Sequence, residues 1–233
     1  MKTGLRSFLK NNITTLLSSP ICPLEIIWKG RLEGRQLALT FDDGPDPVHT
    51  PRLLDALDQL NLEATFFLMG QKALKHPEIV REILNRGHEI GNHSFSHNGF
   101  RTEPIKDFVY EIEQANDVFE QTAGIRTSLL RPPFGKLSVP LLRYCVQKGM
   151  VIVMWSLDCR DSFDYSSVSL SSKVIRNARK NDIFLMHDDG ILSRDIVRDE
   201  IPRLIDRGFT FTKISRMVES LRKSDKNSVD KGS

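Results

Sequence analysis

The sequence of 233 residues has only three cysteines, Cys22, Cys145 and Cys159. They are isolated, odd in number and form no CxxC pair, so neither a zinc finger nor a disulfide framework underlies the fold. No apolar run reaches the roughly 20 residues of a membrane-crossing helix. Neither sign of charge dominates: 33 Lys and Arg against 30 Asp and Glu leave +3, so nothing points to a nucleic-acid or acidic-lipid surface. The GxSxG elbow of serine hydrolases is missing, as is any internal repeat. Lys2, Arg6 and Lys10 resemble the basic start of an export signal. The segment after them, NNITTLLSSPICP (11–23), is too polar to be the apolar core of one. With no convincing signal peptide, the expectation is a cytoplasmic or non-classically exported chain.

What is present is a chain with 39% hydrophobic residues, enough for one large core. Residues 1–33 read as an irregular lead-in, 34–222 as one folded unit, and the polar segment 223–233 as a disordered tail. Within the unit, short apolar runs predict strands at 37–41, 64–70, 88–93, 129–133, 150–157, 182–187 and 209–211. Between them lie helical patterns. Ile79, Val80, Ile83 and Leu84 share one face, with Pro77 at the start and Gly87 past the end. Ile105 to Phe119 is a long amphipathic stretch stopped near Gly124, and Pro202 must kink or restart the helix over 196–205. Alternation of this kind argues for a parallel sheet with crossover helices.

Periodicity alone does not separate a barrel from an open doubly wound sheet. The polar residues bear on it: Asp42-Asp43, His93, Arg131, Asp158 and His187 all fall at or just after predicted strand ends. In a (β/α) barrel that rim carries the active site. Each residue also has an ordinary reading. DDGP is good turn chemistry, His187 at the end of FLMH suits a structural histidine, and Arg131 suits a proline-rich surface loop. His93 and His97, four apart, can face the same way on a helical turn, as paired metal ligands do. The Glu of an HExxH motif is replaced by Ser94, so a base must come from elsewhere. Two histidines and one aspartate would leave a metal position open for water and substrate. Asp158 and Asp161 are both candidates to orient His187.

Taken together, TFDDGP (40–45), HSFSH (93–97), RPPFG (131–135), DCRD (158–161) and LMH (185–187) resemble, in order, the five motifs of the polysaccharide deacetylases. This family is also called the NodB-homology domain or carbohydrate esterase family 4. The resemblance runs from about Gln36 to Leu221 and makes 34–222 the catalytic domain. It implies a distorted (β/α) barrel of about seven parallel strands. It also implies hydrolysis of N-acetyl groups on an amino-sugar poly- or oligosaccharide by metal-activated water. Asp43, His93 and His97 then correspond to the metal ligands, with zinc expected and cobalt, nickel or manganese as alternatives. Asp42 resembles the general base, Arg131 the arginine that holds it, and His187 the catalytic acid tuned by Asp161. Phe134 stands where the family has Tyr and keeps its backbone N–H for the oxyanion, while Leu185 resembles a wall of the acetyl pocket. Ser162 replaces a family Trp, which predicts a wider acyl pocket. The implied partner is a carbohydrate. The alternatives are a deformylase or amidase on the same scaffold, or a binding module without catalysis.

Overall fold

The computed structural model describes residues 25–101, 107–161 and 168–229. Among the described residues nine strands pair in parallel: β1 (Glu25–Ile27), β2 (Gln36–Asp42), β3 (Thr65–Leu68), β4 (Glu89–Asn92), β5 (Leu129–Leu130), β6 (Val151–Val153), β7 (Leu157–Asp158), β8 (Ile183–His187) and β9 (Thr210–Phe211). Their order is β1-β6-β5-β4-β3-β2-β8-β7, with β9 beside β2. The connecting helices are α1 (His49–Gln59), α2 (Gly70–Lys75), α3 (Pro77–Asn85), α4 (Phe108–Ala123), α5 (Val139–Lys148), α6 (Val168–Arg176), α7 (Ile191–Asp199), α8 (Ile201–Asp206) and α9 (Ile214–Val229). The architecture is the distorted (β/α) barrel that the motifs imply.

The strand count exceeds seven for two reasons. β1 lies inside the segment read as lead-in, where three residues are too few for a periodic signal. The run predicted as one strand at 150–157 is broken into β6 and β7. β6 pairs with β1 and β5 near one end of the sheet, whereas β7 pairs with β8 at the other. The chain crosses between the two ends through Met154 N–H to Ile27 O (2.8 Å) and Ser156 N–H to Ile183 O (3.1 Å). The Lys29–Asp182 ion pair (2.6 Å) ties the same seam.

Two other boundaries move. α2 was not anticipated, because six residues give no helical period; Gly70 starts it where α4 packs so closely that a Cβ would meet Ala115. α9 continues to Val229, so residues 223–229 are helical and not a disordered tail. Pro202 does restart the helix, separating α7 from α8.

Strand side chains alternate between two faces, and here both faces are buried, so the strands read as unbroken apolar runs. Leu37, Leu39 and Phe41 of β2 point outward into a core shared with Leu53, Leu54 and Leu57 of α1 and Ile196 and Val197 of α7. Their neighbour Ala38 joins Phe67, Leu129, Val151, Val153 and Ile183 in an inner cluster, closed by Ile214, Met217 and Val218 of α9. On four strands the inner stripe, continued by steps of two, ends on an ionisable residue at the carboxyl end. It reads Ala38-Thr40-Asp42 on β2, Leu129-Arg131 from β5, Glu89-Gly91-His93 from β4 and Ile183-Leu185-His187 on β8. Gly91 leaves the space that the Phe67 ring fills. One periodicity therefore builds the inner core at one end and delivers polar groups at the carboxyl end.

Candidate active site

Asp42 closes β2, and its Oδ1 accepts a 2.7 Å hydrogen bond from the Arg131 guanidinium. Arg131 is fully buried, which is tolerable for a cation only if it is paired and its N–H groups are used. It donates as well to Thr40 Oγ1 (2.6 Å), Val153 O (3.1 Å) and Met154 O (3.1 Å), and its plane lies 4.2 Å over the Phe67 ring. Burial pulls this guanidinium below its ordinary pKa, against the opposing charge of Asp42. The Asp42 carboxylate is thereby fixed in direction with its second oxygen left towards His93, whose Nε2 is 3.9 Å away.

Asp43 turns the other way, because its backbone is left-handed (φ 73°). Its Oδ1 lies 3.4 Å from His93 Nε2 and 3.5 Å from His97 Nε2. That oxygen is buried and has no hydrogen-bond partner. His93 Nδ1 is 2.7 Å from Arg131 O; a carbonyl only accepts, so Nδ1 carries the proton and the Nε2 lone pair faces Asp43. Burial disfavours a charged Asp43, but the pull of His93, His97 and His187 holds it well below the usual carboxylate range. Burial likewise opposes protonation of His93, and Asp42 and Asp43 outweigh it and raise its pKa. His97, desolvated and beside His93, falls to about 4. One carboxylate oxygen and two imidazole nitrogens converge, all within 4.8 Å of one another. A buried, unsatisfied oxygen between two imidazoles fits a divalent transition ion, for which this is an ordinary donor set.

The two histidines do not share a helical turn, as their spacing allows. Ser94 and His97 are both left-handed (φ 68°), and the loop is held by side chains. Asn92 Oδ1 accepts from Ser94 N–H (2.8 Å), and Ser94 Oγ accepts from His97 N–H (3.0 Å).

Across the rim, His187 closes β8. Its Nδ1 is 3.0 Å from Asp161 Oδ1, and its backbone N–H donates to Asp161 Oδ2 at 2.6 Å. Burial opposes a charged imidazole here, yet Asp161 and the more distant Asp42 and Asp43 raise it to about 9. Of the two aspartates weighed from the sequence, Asp161 is the one that meets His187; Asp158 instead caps the Arg160 N–H (2.9 Å). Leu185 is buried with its Cα paired to Thr40. Phe134 is left-handed (φ 58°) and 47% exposed, with its ring edge-on to His97 at 4.5 Å. Ser162 lies outside the described residues.

Three supporting residues escaped the sequence reading. Thr40 links Arg131 to the Phe184 carbonyl, and its place two residues before Asp42 is the signal that could have found it. Ser193 of α7 donates to Asp161 Oδ2 (2.5 Å). Asp188 is buried against Gly44 so tightly that no side chain fits at 44, and it accepts from Thr50 Oγ1 at 2.7 Å. Burial raises the Asp188 acid to about 7. Ser193 and Asp188 carry no local pattern that marks them.

Comparison with known proteins identifies the family and the fold. A family profile described as polysaccharide deacetylase matches residues 29–153. A Bacillus cereus peptidoglycan-N-acetylglucosamine deacetylase is 34% identical over 197 residues, covering 83% of this chain and 72% of the relative. A chitooligosaccharide deacetylase of Sinorhizobium fredii is 33% identical, over 73% of this chain and 86% of the relative. The chain spans only 38% of PdaC, a Bacillus subtilis peptidoglycan-N-acetylmuramic acid deacetylase that is 33% identical to it. A crystal structure of a peptidoglycan N-acetylglucosamine deacetylase superposes with a TM-score of 0.77 at 32% identity, over 83% of this chain and 92% of that one. The chain belongs to the polysaccharide deacetylase family.

Proposed function

We propose that this chain is a divalent-metal-dependent hydrolase that removes N-acetyl groups from an amino-sugar-containing saccharide of the peptidoglycan or chitin kind. One observation carries the reading: the Asp43–His93–His97 donor set stands between an oriented carboxylate, Asp42 on Arg131, and an oriented imidazole, His187 on Asp161. The relatives' names supply the substrate class, since they are deacetylases of peptidoglycan and of chitooligosaccharides.

In this reading Asp43, His93 and His97 hold the ion, zinc being the expected one. The ion supplies Lewis acidity that polarises the acetamide carbonyl and makes water easier to deprotonate. The chain's own residues handle the protons. Asp42, held by Arg131, takes a proton from the attacking water. His187, protonated below about pH 9, gives one to the nitrogen of the leaving amine, which is otherwise a very poor leaving group. The Phe134 N–H is assigned to the developing oxyanion, where one well-placed donor is worth about a hundredfold or more. Leu185 is assigned to the wall of the acyl pocket. Ser162 stands where the resemblance puts a Trp, and on that sequence difference alone acceptance of acyl groups larger than acetyl is proposed.

The test is acetate release from N-acetylglucosamine oligomers and from peptidoglycan, before and after removal of metal by a chelator and after its return. Activity that disappears with the metal and comes back with zinc or cobalt is the expected result. Undiminished acetate release from metal-free protein would sink the reading. Formylated and non-sugar amides in the same assay separate it from deformylase or amidase activity.

A further inference from the structure

The two histidines are secured in different ways. His93 follows directly from β4, its N–H donates to Leu68 O (3.0 Å), and its Nδ1 is fixed by Arg131 O. His97 is a left-handed loop residue whose N–H is held only by a loop side chain, Ser94 Oγ (3.0 Å), and among the described residues no hydrogen bond to its Nδ1 is found. Something must hold the backbone that carries it.

That backbone is gripped at the residue before. Ser96 N–H donates to Glu111 Oε2 (2.7 Å), and Ser96 Oγ donates to Glu111 Oε1 (2.6 Å). Ser96 Oγ in turn accepts from Asn98 N–H at 3.2 Å, so the clasp reaches both sides of His97. Glu111 sits in the first turn of α4 and is buried. Both of its oxygens are used on Ser96. Among the described residues no lysine or arginine pairs with it. A buried carboxylate without a cation is a costly way to stabilise a helix or a core. It is a good way to fix one loop in one conformation, because it accepts two hydrogen bonds from a single residue in a fixed fork.

We infer that Glu111 is a positioning residue for the metal site, clasping Ser96 so that His97 presents Nε2 to the position shared by Asp43 and His93. The inference rests on the metal-binding reading of that triad. Glu111 touches neither metal nor substrate. Its contribution is to hold the far side of the loop, so that together with the Asn92–Ser94 and Ser94–His97 hydrogen bonds it keeps His97 left-handed. Partners of this kind, one step removed from a ligand, typically change metal affinity by about 10- to 100-fold.

The experiment is a zinc affinity measurement by competition with a chromophoric chelator, on the full chain, for native protein, Glu111→Leu, Glu111→Gln and Ser96→Ala. Thermal unfolding of each metal-free protein is measured alongside. Glu111→Leu loses both contacts and is expected to weaken zinc binding by about 10- to 100-fold. Ser96→Ala keeps the N–H contact and is expected to fall between Glu111→Leu and native. Glu111→Gln is expected to stay close to native, because its amide accepts from the Ser96 N–H and donates to Ser96 Oγ. Activity of Glu111→Leu should return at high zinc with KM for the saccharide unchanged, which a general loss of structure would not allow. If Glu111→Leu does not fold, Ser96→Ala carries the test, since it removes one contact from a partly exposed loop. Native zinc affinity in Ser96→Ala, or equal weakening in Glu111→Gln and Glu111→Leu, would overturn the inference. A native chain that binds no zinc would instead overturn the metal-binding reading itself.

Discussion

The site is assembled from two kinds of backbone. Asp42 and His187 close strands and His93 and Arg131 directly follow them, on the inner stripe of the barrel, and none of the four is left-handed. Asp43, His97 and Phe134 stand on loops and are all left-handed, with φ between 58° and 73°. For residues with a Cβ that conformation costs on the order of 1–3 kcal/mol each and survives only where the surroundings impose it. The first group is placed by the same alternation that builds the core, so its geometry is inseparable from folding. The second group is placed by side-chain hydrogen bonds to the loops, such as Asn92 to Ser94 and Ser94 to His97. Damage to the strand-end group should therefore be felt in stability as well as in chemistry. Damage to the loop group should be felt in metal binding and turnover while the barrel stands.

The largest expected effect comes from Arg131→Met. It leaves the buried Asp42 carboxylate unpaired, which should cost about 3–5 kcal/mol of stability as well as activity. Urea unfolding checks this, and an unchanged midpoint would break the link between strand-end residues and folding. His97→Ala is the matching loop variant. Turnover should fall on the order of a thousandfold as metal is lost, while the unfolding midpoint of the metal-free protein stays near native. A collapse in that midpoint would erase the distinction between the two groups.

A third prediction concerns the proton donor. His187→Ala should lower amide hydrolysis by about 10²- to 10⁴-fold but affect an aryl acetate far less, because an aryl alcohol leaves without a proton. Equal losses on both substrates would make His187 a structural residue. The pH dependence sharpens this. Burial disfavours the imidazolium, but Asp161 outweighs it and raises His187 to about 9. The donor form is thus present below that pH, and activity should fall as pH rises through about 9. Asp161→Asn removes the raising influence, so the alkaline limb should move to lower pH. The smallest effect is expected from Phe134→Tyr. The half-exposed ring gains only a hydroxyl and the backbone N–H is unchanged, so activity should stay within about two- to threefold.

The split between strand ends and loops also explains what the sequence could disclose. Asp42, His93, Arg131 and His187 end apolar runs, so reading by twos places them on one rim. Thr40 was legible by the same rule. The barrel itself was harder to see, because its edges are a three-residue strand, β1, and β7, which follows a break at residues 154–156 that looks like continuous strand in sequence. The His93–His97 spacing is equally compatible with a helical turn. Only the contacts of Ser94 with Asn92 and of Ser96 with Glu111, 15 residues further along, select the loop. Ser193 and Asp188 act through tertiary contacts that no local period encodes.

The neighbouring aspartates give the most direct test, since Asp42 belongs to the strand and Asp43 to the loop. Metal content and acetate release should be measured side by side for native protein, Asp42→Asn and Asp43→Asn. The expected result is that Asp42→Asn retains native metal content and loses most turnover, whereas Asp43→Asn loses the metal. Near-native hydrolysis by Asp42→Asn, or native metal content in Asp43→Asn, would contradict the division of roles on which this reading of the site depends.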